Sequence, residues 1–494
     1  MQLPVLDVFV IAAYLAALPA VGIYFSRRQT TREQYYLGDR KMHWLLVGGS
    51  VLATLLSTIT YLSLPGEMIR YGVTFLLGAA MIPLAVPVVS RFIVPTIRRL
   101  PIRSAYEYLE RRFGRCTKRL ASSVFIVHTL VWTGLIFYTA SLAVTQITGW
   151  QLMPTIAVMG AITMFYTTAG GIRAVIWTDN LQLLILFGGA VAIPVTIAAL
   201  TGEGPSDWWA RFQEAGREPV VYFSFDPTLR LTVFSVLVNM FCWEMCTHSS
   251  DQVAVQRYLT TPDLATARNS LWTYAVARLL LGALLAFCGL ALFGFYSHQS
   301  ALPAAEFHWQ IAGQADKLLP RFIAGQLPSG LAGLLIAALL AAAMSSLSSG
   351  MNAVAGVVRS DWLPARRGES LTKDKLLACG AGLFGMLVAV SVHYVTGSTG
   401  WNLVEMTGRL NHIFVGPLAS LFFLGALSSR VNQPAAICGF LAGTLLSLSI
   451  CFSRISFTWM LPASLLTAVA VALLAARLAG APEPERLRDL TYSA

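Results

Sequence analysis

Serine hydroxyls are concentrated on one face of an otherwise apolar run, LLIAALLAAAMSSLSSGMNAVAGVV. Ala342, Ser345, Ser346 and Ser349 follow the i, i+3, i+4, i+7 spacing of one helical face, and Ser348 lies beside them. Uncharged hydroxyl oxygens suit a weakly held hard cation, whereas a ring of carboxylates would suit calcium or magnesium. Close packing of helices through small residues is the alternative explanation. Because four serines in five positions exceed what packing requires, the pattern favours a cation site.

A second polar stretch, GGSVLATLLSTITYLSLPGEMIRYG, carries Ser57, Thr58, Thr60 and Ser63. It ends in a Pro-Gly pair, and proline removes a backbone donor and clashes with the preceding turn. A helix that unwinds here would free carbonyls around residues 53–56, and carbonyls of broken helices can coordinate sodium. A hydroxyl-rich helix interface with a proline kink explains the same residues equally well.

Ionisable residues inside apolar runs are costly and therefore informative. Asp179 opens an acid-free run after a Gly-Gly pair, where it serves either as a cation ligand or only as a carboxylate favoured at a helix start. Glu244, near Trp243 and Thr247, could line a polar cavity. Glu405 and Arg409 are four residues apart and are expected to form a structural pair, with Arg409 as the one cation for an organic anion if that pair does not form. The sequence contains no signature of nucleophilic catalysis, of a P-loop or of metal-dependent hydrolysis, so an enzyme is not expected.

The elements that must position these residues are membrane helices. Of the 494 residues 56% are hydrophobic and 12% are charged, with a mean hydropathy of +0.64, whereas soluble domains are about 25% charged. A membrane-spanning helix needs roughly 20 mostly apolar residues. Thirteen such runs are predicted, near residues 6–25, 43–67, 73–93, 120–146, 152–168, 180–200, 231–251, 270–296, 330–357, 376–394, 403–427, 433–452 and 457–478.

The basic residues test this division because cytoplasmic loops are rich in Lys and Arg. Of the 35 basic residues, 26 fall on one side of the predicted spans, seven on the other, and Arg278 and Arg409 lie inside spans. Arg257 is assigned to an inner loop. The asymmetry predicts a multi-pass protein of the plasma (inner) membrane, with the N-terminus outside and the C-terminus in the cytoplasm. It also explains the net charge of +11, so a nucleic-acid partner is not expected. Residues 1–494 are expected to form a single transmembrane domain.

Six segments in order resemble the sodium:solute symporter family, whose members transport glucose, proline, sialic acid, vitamins or monocarboxylates. They are YYLGDRKMHWLLVGGSVLATLLS, PGEMIRYG, RSAYEYLERRFG, YTTAGGIRAVIWTDNLQ, DQVAVQRYLTTPDLATAR and LPSGLAGLLIAALLAAAMSSLSSGMNAV. The resemblance implies an all-α membrane protein with a leucine-transporter-like core of two inverted five-helix repeats. These repeats would cover about 43–200 and 231–427, with peripheral helices at 6–25, 433–452 and 457–478.

The resemblance also implies sodium ligands. The family's shared sodium site would use carbonyls of Ala53, Leu56 and Ala342 and hydroxyls of Ser345 and Ser346. A second site, found in some members, would use Asp179, Ser348 and Ser349 and share Ser345, giving two sodium ions per transport cycle. The best candidates to face the substrate are Ser57, Thr58, Thr60, Trp243, Glu244 and Thr247.

The function expected from the resemblance is sodium-coupled symport of a small polar organic solute, by alternating access and by a monomer in the lipid bilayer. A sugar or sugar acid is favoured, and a monocarboxylate, another organic anion or an amino acid remains open. A membrane sensor without its own kinase and a channel are the competing classes. Sodium-dependent uptake separates them, because a transporter accumulates solute, a channel equilibrates it and a sensor does neither.

Overall fold

The computed structural model describes residues 3–27, 29, 31–100, 102–216, 223–300, 302–363, 371–395, 403–478, 480 and 490–491, which form helices and no strands. The first helices are α1 (Val5–Ser26), α2 (Arg32–Leu37), α3 (Trp44–Leu55), α4 (Thr58–Tyr71), α5 (Thr74–Leu77), α6 (Ile82–Val88), α7 (Val94–Arg98), α8 (Ala105–Arg112), α9 (Arg115–Thr148) and α10 (Leu152–Thr201). The others are α11 (Pro205–Glu214), α12 (Val233–Ser250), α13 (Gln252–Leu259), α14 (Leu264–Gln299), α15 (Ala304–Ala312), α16 (Ala315–Gly325), α17 (Leu331–Val357), α18 (Thr372–Val395), α19 (Leu403–Leu427), α20 (Gln433–Cys451) and α21 (Phe457–Leu478).

Within these described residues, ten helices are long and apolar enough to cross a bilayer, or eleven if α3 and α4 form one bent span. The prediction of an all-helical, multi-pass membrane protein is confirmed, whereas the count of thirteen spans is not. Two differences reduce the number of spans from thirteen to eleven. The predicted spans 152–168 and 180–200 lie in the single 50-residue helix α10, and α12 is not one of the ten.

The helix α10 is interrupted at Gly171, where the backbone is not helical (φ 53°, ψ −160°). A straight helix of this length would extend about 75 Å, far more than the roughly 30 Å of a bilayer core. Gly171 also packs closely, since a Cβ there would lie 2.8 Å from the Tyr35 carbonyl oxygen. Asp179 comes eight residues after this break, about two helical turns along. The helix-start explanation for its carboxylate therefore does not apply.

The predicted unwinding of the second span is present between α3 and α4, whose axes differ by 70°. Leu56 and Ser57 are extended there, and the Ser57 hydroxyl accepts a hydrogen bond from the Thr60 amide at 3.4 Å. A serine at this position caps the N-terminus of the next helix. Pro65 lies inside α4, so the break is produced by the capping serine and not by the proline.

A second broken helix joins α12 to α13 at Asp251, whose backbone is extended (φ −81°, ψ 113°). The Asp251 carboxylate accepts a hydrogen bond from the Val253 amide at 2.8 Å and so caps α13. Each of the two predicted repeats thus begins with a discontinuous helix, α3–α4 in one and α12–α13 in the other.

The helix α17 is the centre of the bundle. It packs against α1, α3, α9, α10 and α18. Of the residues in its most apolar 18-residue stretch, 89% are buried inside the protein. The small residues of this helix allow such close contact on several sides. The serine face of α17 therefore lies deep inside the protein, opposite the break that ends α3.

Candidate functional site

Hydroxyl groups of α17 meet the carbonyl groups at the end of α3. Ser345 Oγ donates to the Ala53 carbonyl at 2.7 Å, and Ser346 Oγ donates to the Thr54 carbonyl at 2.7 Å. Both hydroxyls also lie close to the Ala342 carbonyl, at 3.2 and 3.3 Å. We call these five oxygen atoms the oxygen cluster. The carbonyls of Ala53 and Thr54 are available because they belong to the last four residues of α3, and the last four carbonyls of a helix have no donor within it.

The structure brings together four of the five residues predicted for the first sodium site. Leu56, the fifth, lies in the break itself, and the carbonyl that Ser346 contacts belongs to Thr54, which the sequence prediction omitted. Hard monovalent and divalent cations are held by oxygen ligands, and net negative charge is required mainly for the divalent ones. Among the described residues no group of three or more His, Cys, Asp or Glu side chains could hold a metal ion. The uncharged oxygen cluster therefore fits a weakly held monovalent cation.

Asp179, the acid predicted for a second sodium site, is completely buried beside the oxygen cluster. Its Oδ2 accepts hydrogen bonds from Ser50 Oγ at 2.5 Å and Thr54 Oγ1 at 3.2 Å, and it forms an ion pair with Arg257 Nη2 at 2.9 Å. Thr54 Oγ1 lies 2.9 Å from Ser349 Oγ, so Asp179 and Ser349 share one network. The Oδ1 atom of Asp179 is buried and has no hydrogen-bond partner among the described residues.

The other two residues of the predicted second set point differently. Ser348 Oγ donates to the Ser345 carbonyl at 3.0 Å within α17, and the Ser345 hydroxyl belongs to the oxygen cluster. The structure thus unites Asp179 with Ser349 but not directly with Ser348.

Arg257 is a member of this network that the sequence analysis misplaced. It was assigned to an inner loop, but in α13 it is completely buried, and its Nη2 donates to Thr54, Asp179 and Ser349. Its Nε donates to Ser50 Oγ at 2.7 Å. A guanidinium buried inside the protein requires a counter-charge, which Asp179 supplies. The signal in the sequence was the acid-free segment VAVQRYL, where a lone arginine follows a capped helix start.

Two central cavities share four lining residues, Leu55, Trp132, Trp243 and Asn411. The first central cavity has a volume of about 180 Å³ and is lined mainly by α4, α12 and α19, with residues of α9 and α14. The second has a volume of about 70 Å³ and is lined mainly by α9, α12 and α19, with residues of α3 and α17. The predicted substrate-facing residues Ser57, Thr60 and Trp243 line the first cavity, and Thr247 and Trp243 line the second.

Two predicted substrate-facing residues are engaged elsewhere. Thr58 Oγ1 donates to the Leu339 carbonyl of α17 at 2.9 Å, so its hydroxyl joins two helices. Glu244 is buried against α14, where its carboxylate accepts a hydrogen bond from Tyr274 at 2.9 Å and pairs with Arg278 Nε at 3.2 Å. His248 Nε2 contacts the same carboxylate at 3.2 Å. Neither Thr58 nor Glu244 lines a central cavity.

Arg409, the cation considered for an organic anion, is also not in the cavities. Its guanidinium donates to the carbonyls of Ile450, Cys451 and Ile455, with the shortest distance 2.7 Å, at the end of α20. A cation there satisfies carbonyls that the helix leaves without donors. The side chain of Glu405 lies outside the described residues, so the predicted pair with Arg409 is not described.

The comparisons with known proteins agree over most of the chain. The model of the sodium:solute symporter family matches residues 35–443. The sodium/sialic acid symporter SiaT of Proteus mirabilis is 31% identical over 449 residues, which cover 88% of this chain and 87% of the relative. Sodium-coupled monocarboxylate transporter 1 of Mus musculus is 30% identical over 456 residues, covering 90% and 72%. A solved structure of a Na⁺-coupled sialic acid symporter in a substrate-bound outward-open state superposes with a TM-score of 0.88 at 29% identity, covering 97% of this chain and 99% of that one.

Proposed function

The chain belongs to the sodium:solute symporter family, and from that premise we propose that it imports a sugar-derived acid or another small carboxylate together with sodium. Membership makes the protein a sodium-coupled transporter of the membrane and not an enzyme. Alternating access to a site near the middle of the bilayer is the mechanism that this architecture uses. An inward sodium gradient then drives import of the solute.

The oxygen cluster supports the first sodium site and is the observation that carries the proposal. Sodium would bind to the carbonyls of Ala53, Thr54 and Ala342 and to the hydroxyls of Ser345 and Ser346, with Leu56 at the edge of the site. These oxygens lie where α3 breaks and where α17 is most buried. An ion at this point bridges two helices, so its binding would bias their relative position.

A second sodium ion per cycle is supported by the unpartnered Oδ1 atom of Asp179. Ser349, and Ser345 and Ser348 after rotation of their hydroxyls, would complete the ligands. Arg257 already donates to the opposite carboxylate oxygen, so this second ion would experience repulsion from the guanidinium. We therefore propose two ions per solute, the second bound more weakly than the first.

The solute class is supported by the relatives. One is described as a sialic acid symporter and another as a monocarboxylate transporter, and both solutes are organic acids. A sugar acid is the preferred solute, and Ser57, Thr60, Trp243 and Thr247 are its proposed contacts. A monocarboxylate is the alternative that the modest volume of about 180 Å³ favours.

The remaining features follow the same proposal. The two repeats are residues 43–200 and 231–427, the N-terminus is outside and the C-terminus is in the cytoplasm. We also propose that the protein works as a monomer in the lipid bilayer.

Sodium-driven uptake in proteoliposomes tests the function. Labelled sialic acid and labelled pyruvate should each be offered under an inward sodium gradient and under an equal potassium gradient. We expect at least one acid to accumulate above its external concentration with sodium only. Ser345→Ala with Ser346→Ala should abolish the accumulation. Ser270→Ala should preserve it, because the Ser270 hydroxyl bonds the Ala267 carbonyl of its own helix at 2.7 Å and Ser270 lines neither central cavity. Equilibration without accumulation would indicate a channel, and no sodium-dependent uptake of either acid would refute the proposal.

A further inference from the structure

One positive charge of the membrane interior lies at the wall of the first central cavity. Arg278 is in the middle of α14, among apolar residues, and its side chain is 18% exposed. A charged side chain at this depth is expensive and marks a functional site by default. Its partner Glu244 has a side chain only 1% exposed and does not line the cavity, so the acid is enclosed while the Arg278 side chain forms part of the cavity wall.

The environment of Glu244 fixes the guanidinium in this position. The carboxylate receives Tyr274 OH at 2.9 Å and contacts His248 Nε2 at 3.2 Å. Tyr258 OH lies 2.5 Å from the other ring nitrogen of His248, which orients the imidazole. Glu244 Oε1 lies 3.2 Å from Arg278 Nε and forms the ion pair with it. A preorganised arginine loses less entropy when it binds a ligand.

The outer nitrogen atoms of Arg278 remain for a ligand. Nε faces Glu244, and one Nη makes a long contact of 3.8 Å to the sulfur of Met240. Guanidinium nitrogen atoms that are not used by the protein favour bidentate contact with a carboxylate. The position of Arg278 at the cavity therefore offers a fork of N–H donors.

The rest of the cavity is complementary to an acid with an organic body. Asn239 and Asn411 supply amide groups, and Trp243 and Phe457 supply aromatic walls. The acid Glu67 also lines the cavity, but Arg230 binds both of its oxygens, at 2.9 and 3.0 Å. Among the described lining residues, Arg278 is thus the charged group with donors still available.

We propose that Arg278 is the anchor for the carboxylate of the transported acid, with Glu244 as its positioning residue. This inference rests on the proposed function and specifies its solute as a carboxylate. Arg278 makes the same bond to a sugar acid or to a small monocarboxylate, and the two solutes differ in what fills the rest of the cavity. Arg409, by contrast, is held at the end of α20 and takes no part.

The test measures solute binding to the purified protein in saturating sodium. The probes are sialic acid, pyruvate and the methyl ester of each acid, which removes the charge and adds one methyl group. The variants are Arg278→Lys and the double replacement Arg278→Gln with Glu244→Gln, which removes both charges and leaves no unpaired ion. The matched control is Arg70→Gln with Asp316→Asn, because these side chains form an ion pair at 2.9 Å and neither lines the central cavities.

We expect the wild type to bind at least one acid more tightly than its ester. The double replacement should weaken that acid at least tenfold, equivalent to about 1.4 kcal/mol, without changing the affinity for the ester. Arg278→Lys should give an intermediate loss, since it keeps the charge but not the fork. The control pair should bind like the wild type, and sodium alone should stabilise every variant equally.

Four outcomes would overturn the inference. Equal binding of acid and ester by the wild type would show that the charge is not recognised. Unchanged acid binding in the double replacement would place the anchor elsewhere, and both results would leave sodium-driven uptake standing. If the double replacement does not fold, Arg278→Lys decides, and full acid affinity in that variant would count against the anchor. Failure of sodium-driven uptake itself would remove the proposed function and this inference with it.

Discussion

Replacing Asp179 by Asn separates its role as the partner of Arg257 from its proposed role as a sodium ligand. The substitution keeps the shape and removes the charge, so Arg257 becomes a buried cation without a counter-ion. Removing one partner of a buried ion pair costs about 3–5 kcal/mol of unfolding free energy. This loss is expected at every sodium concentration, because the pair at 2.9 Å exists in the protein itself.

The dependence of the unfolding free energy on sodium concentration tests the second role, that of a sodium ligand. A ligand present at 100 times its dissociation constant stabilises the folded protein by about 2.7 kcal/mol, and the more weakly bound second ion contributes less than the first at the same sodium concentration. In Asp179→Asn the oxygen cluster remains and the proposed second site is lost. The stabilisation by sodium should therefore fall by the smaller of the two increments, at most half of the wild-type value, in addition to the constant loss.

Thermal or denaturant unfolding in a sodium titration measures both quantities. Asp374→Asn is the matched control, because Asp374 is equally buried and pairs with Arg32 at 3.1 Å far from the serine face of α17. The control should be destabilised but should keep the full sodium increment. In transport, Asp179→Asn should lower the sodium Hill coefficient toward one. An Asp179→Asn protein with the wild-type sodium increment and Hill coefficient would refute the second site, leaving Asp179 as a structural partner of Arg257.

Three further predictions concern the oxygen cluster, the break in α10 and the topology. Ser345→Ala should raise the sodium concentration needed for half-maximal transport at least tenfold, while Ser63→Ala should change it little. Equal small effects of the two substitutions would indicate that the serine face of α17 serves only helix packing. Gly171→Ala should destabilise the protein by more than about 1 kcal/mol, because of the positive φ and the 2.8 Å approach to Tyr35. Gly188→Ala in the same helix, where a new Cβ meets nothing within 4 Å, should be neutral or stabilising, and equal unfolding curves for the two variants would contradict the strain. A tag at Met1 should react only with an external probe and a tag at Ala494 only with an internal one, and the reverse result would invert the topology.

Local pattern was sufficient to predict the helices and the serine face. Apolar runs of bilayer length identify most of the helices in the bundle, and the helical period places Ala342, Ser345 and Ser346 together without knowledge of their neighbours. The break near residues 53–56 was also predicted, although its cause is the capping by Ser57 and not Pro65.

Contacts between distant segments were beyond such reasoning. Arg257 and Asp179 are 78 positions apart in the sequence, and only the folded arrangement of α10 and α13 shows that they pair. The same limit applies to Glu244, whose partners on α14 turn it away from the cavities. A residue type reveals that a charge must be compensated, but the compensating residue is fixed by tertiary packing.

At the proposed first sodium site, the hydrogen bonds of Ser345 and Ser346 make ion binding an exchange and not a simple addition. Each hydroxyl directs its single proton at a carbonyl of α3, and an arriving ion requires both rotors to turn so that lone pairs face it. The ion thereby displaces two hydrogen bonds of about 1 kcal/mol each, which lowers its affinity by roughly 30-fold. When the ion departs, the same protons return to the carbonyls, so no buried acceptor is left without a donor. Because the two hydroxyls can rotate between these arrangements, the free energies of the site with and without the ion are similar. A carrier that must release its ion in every cycle requires this.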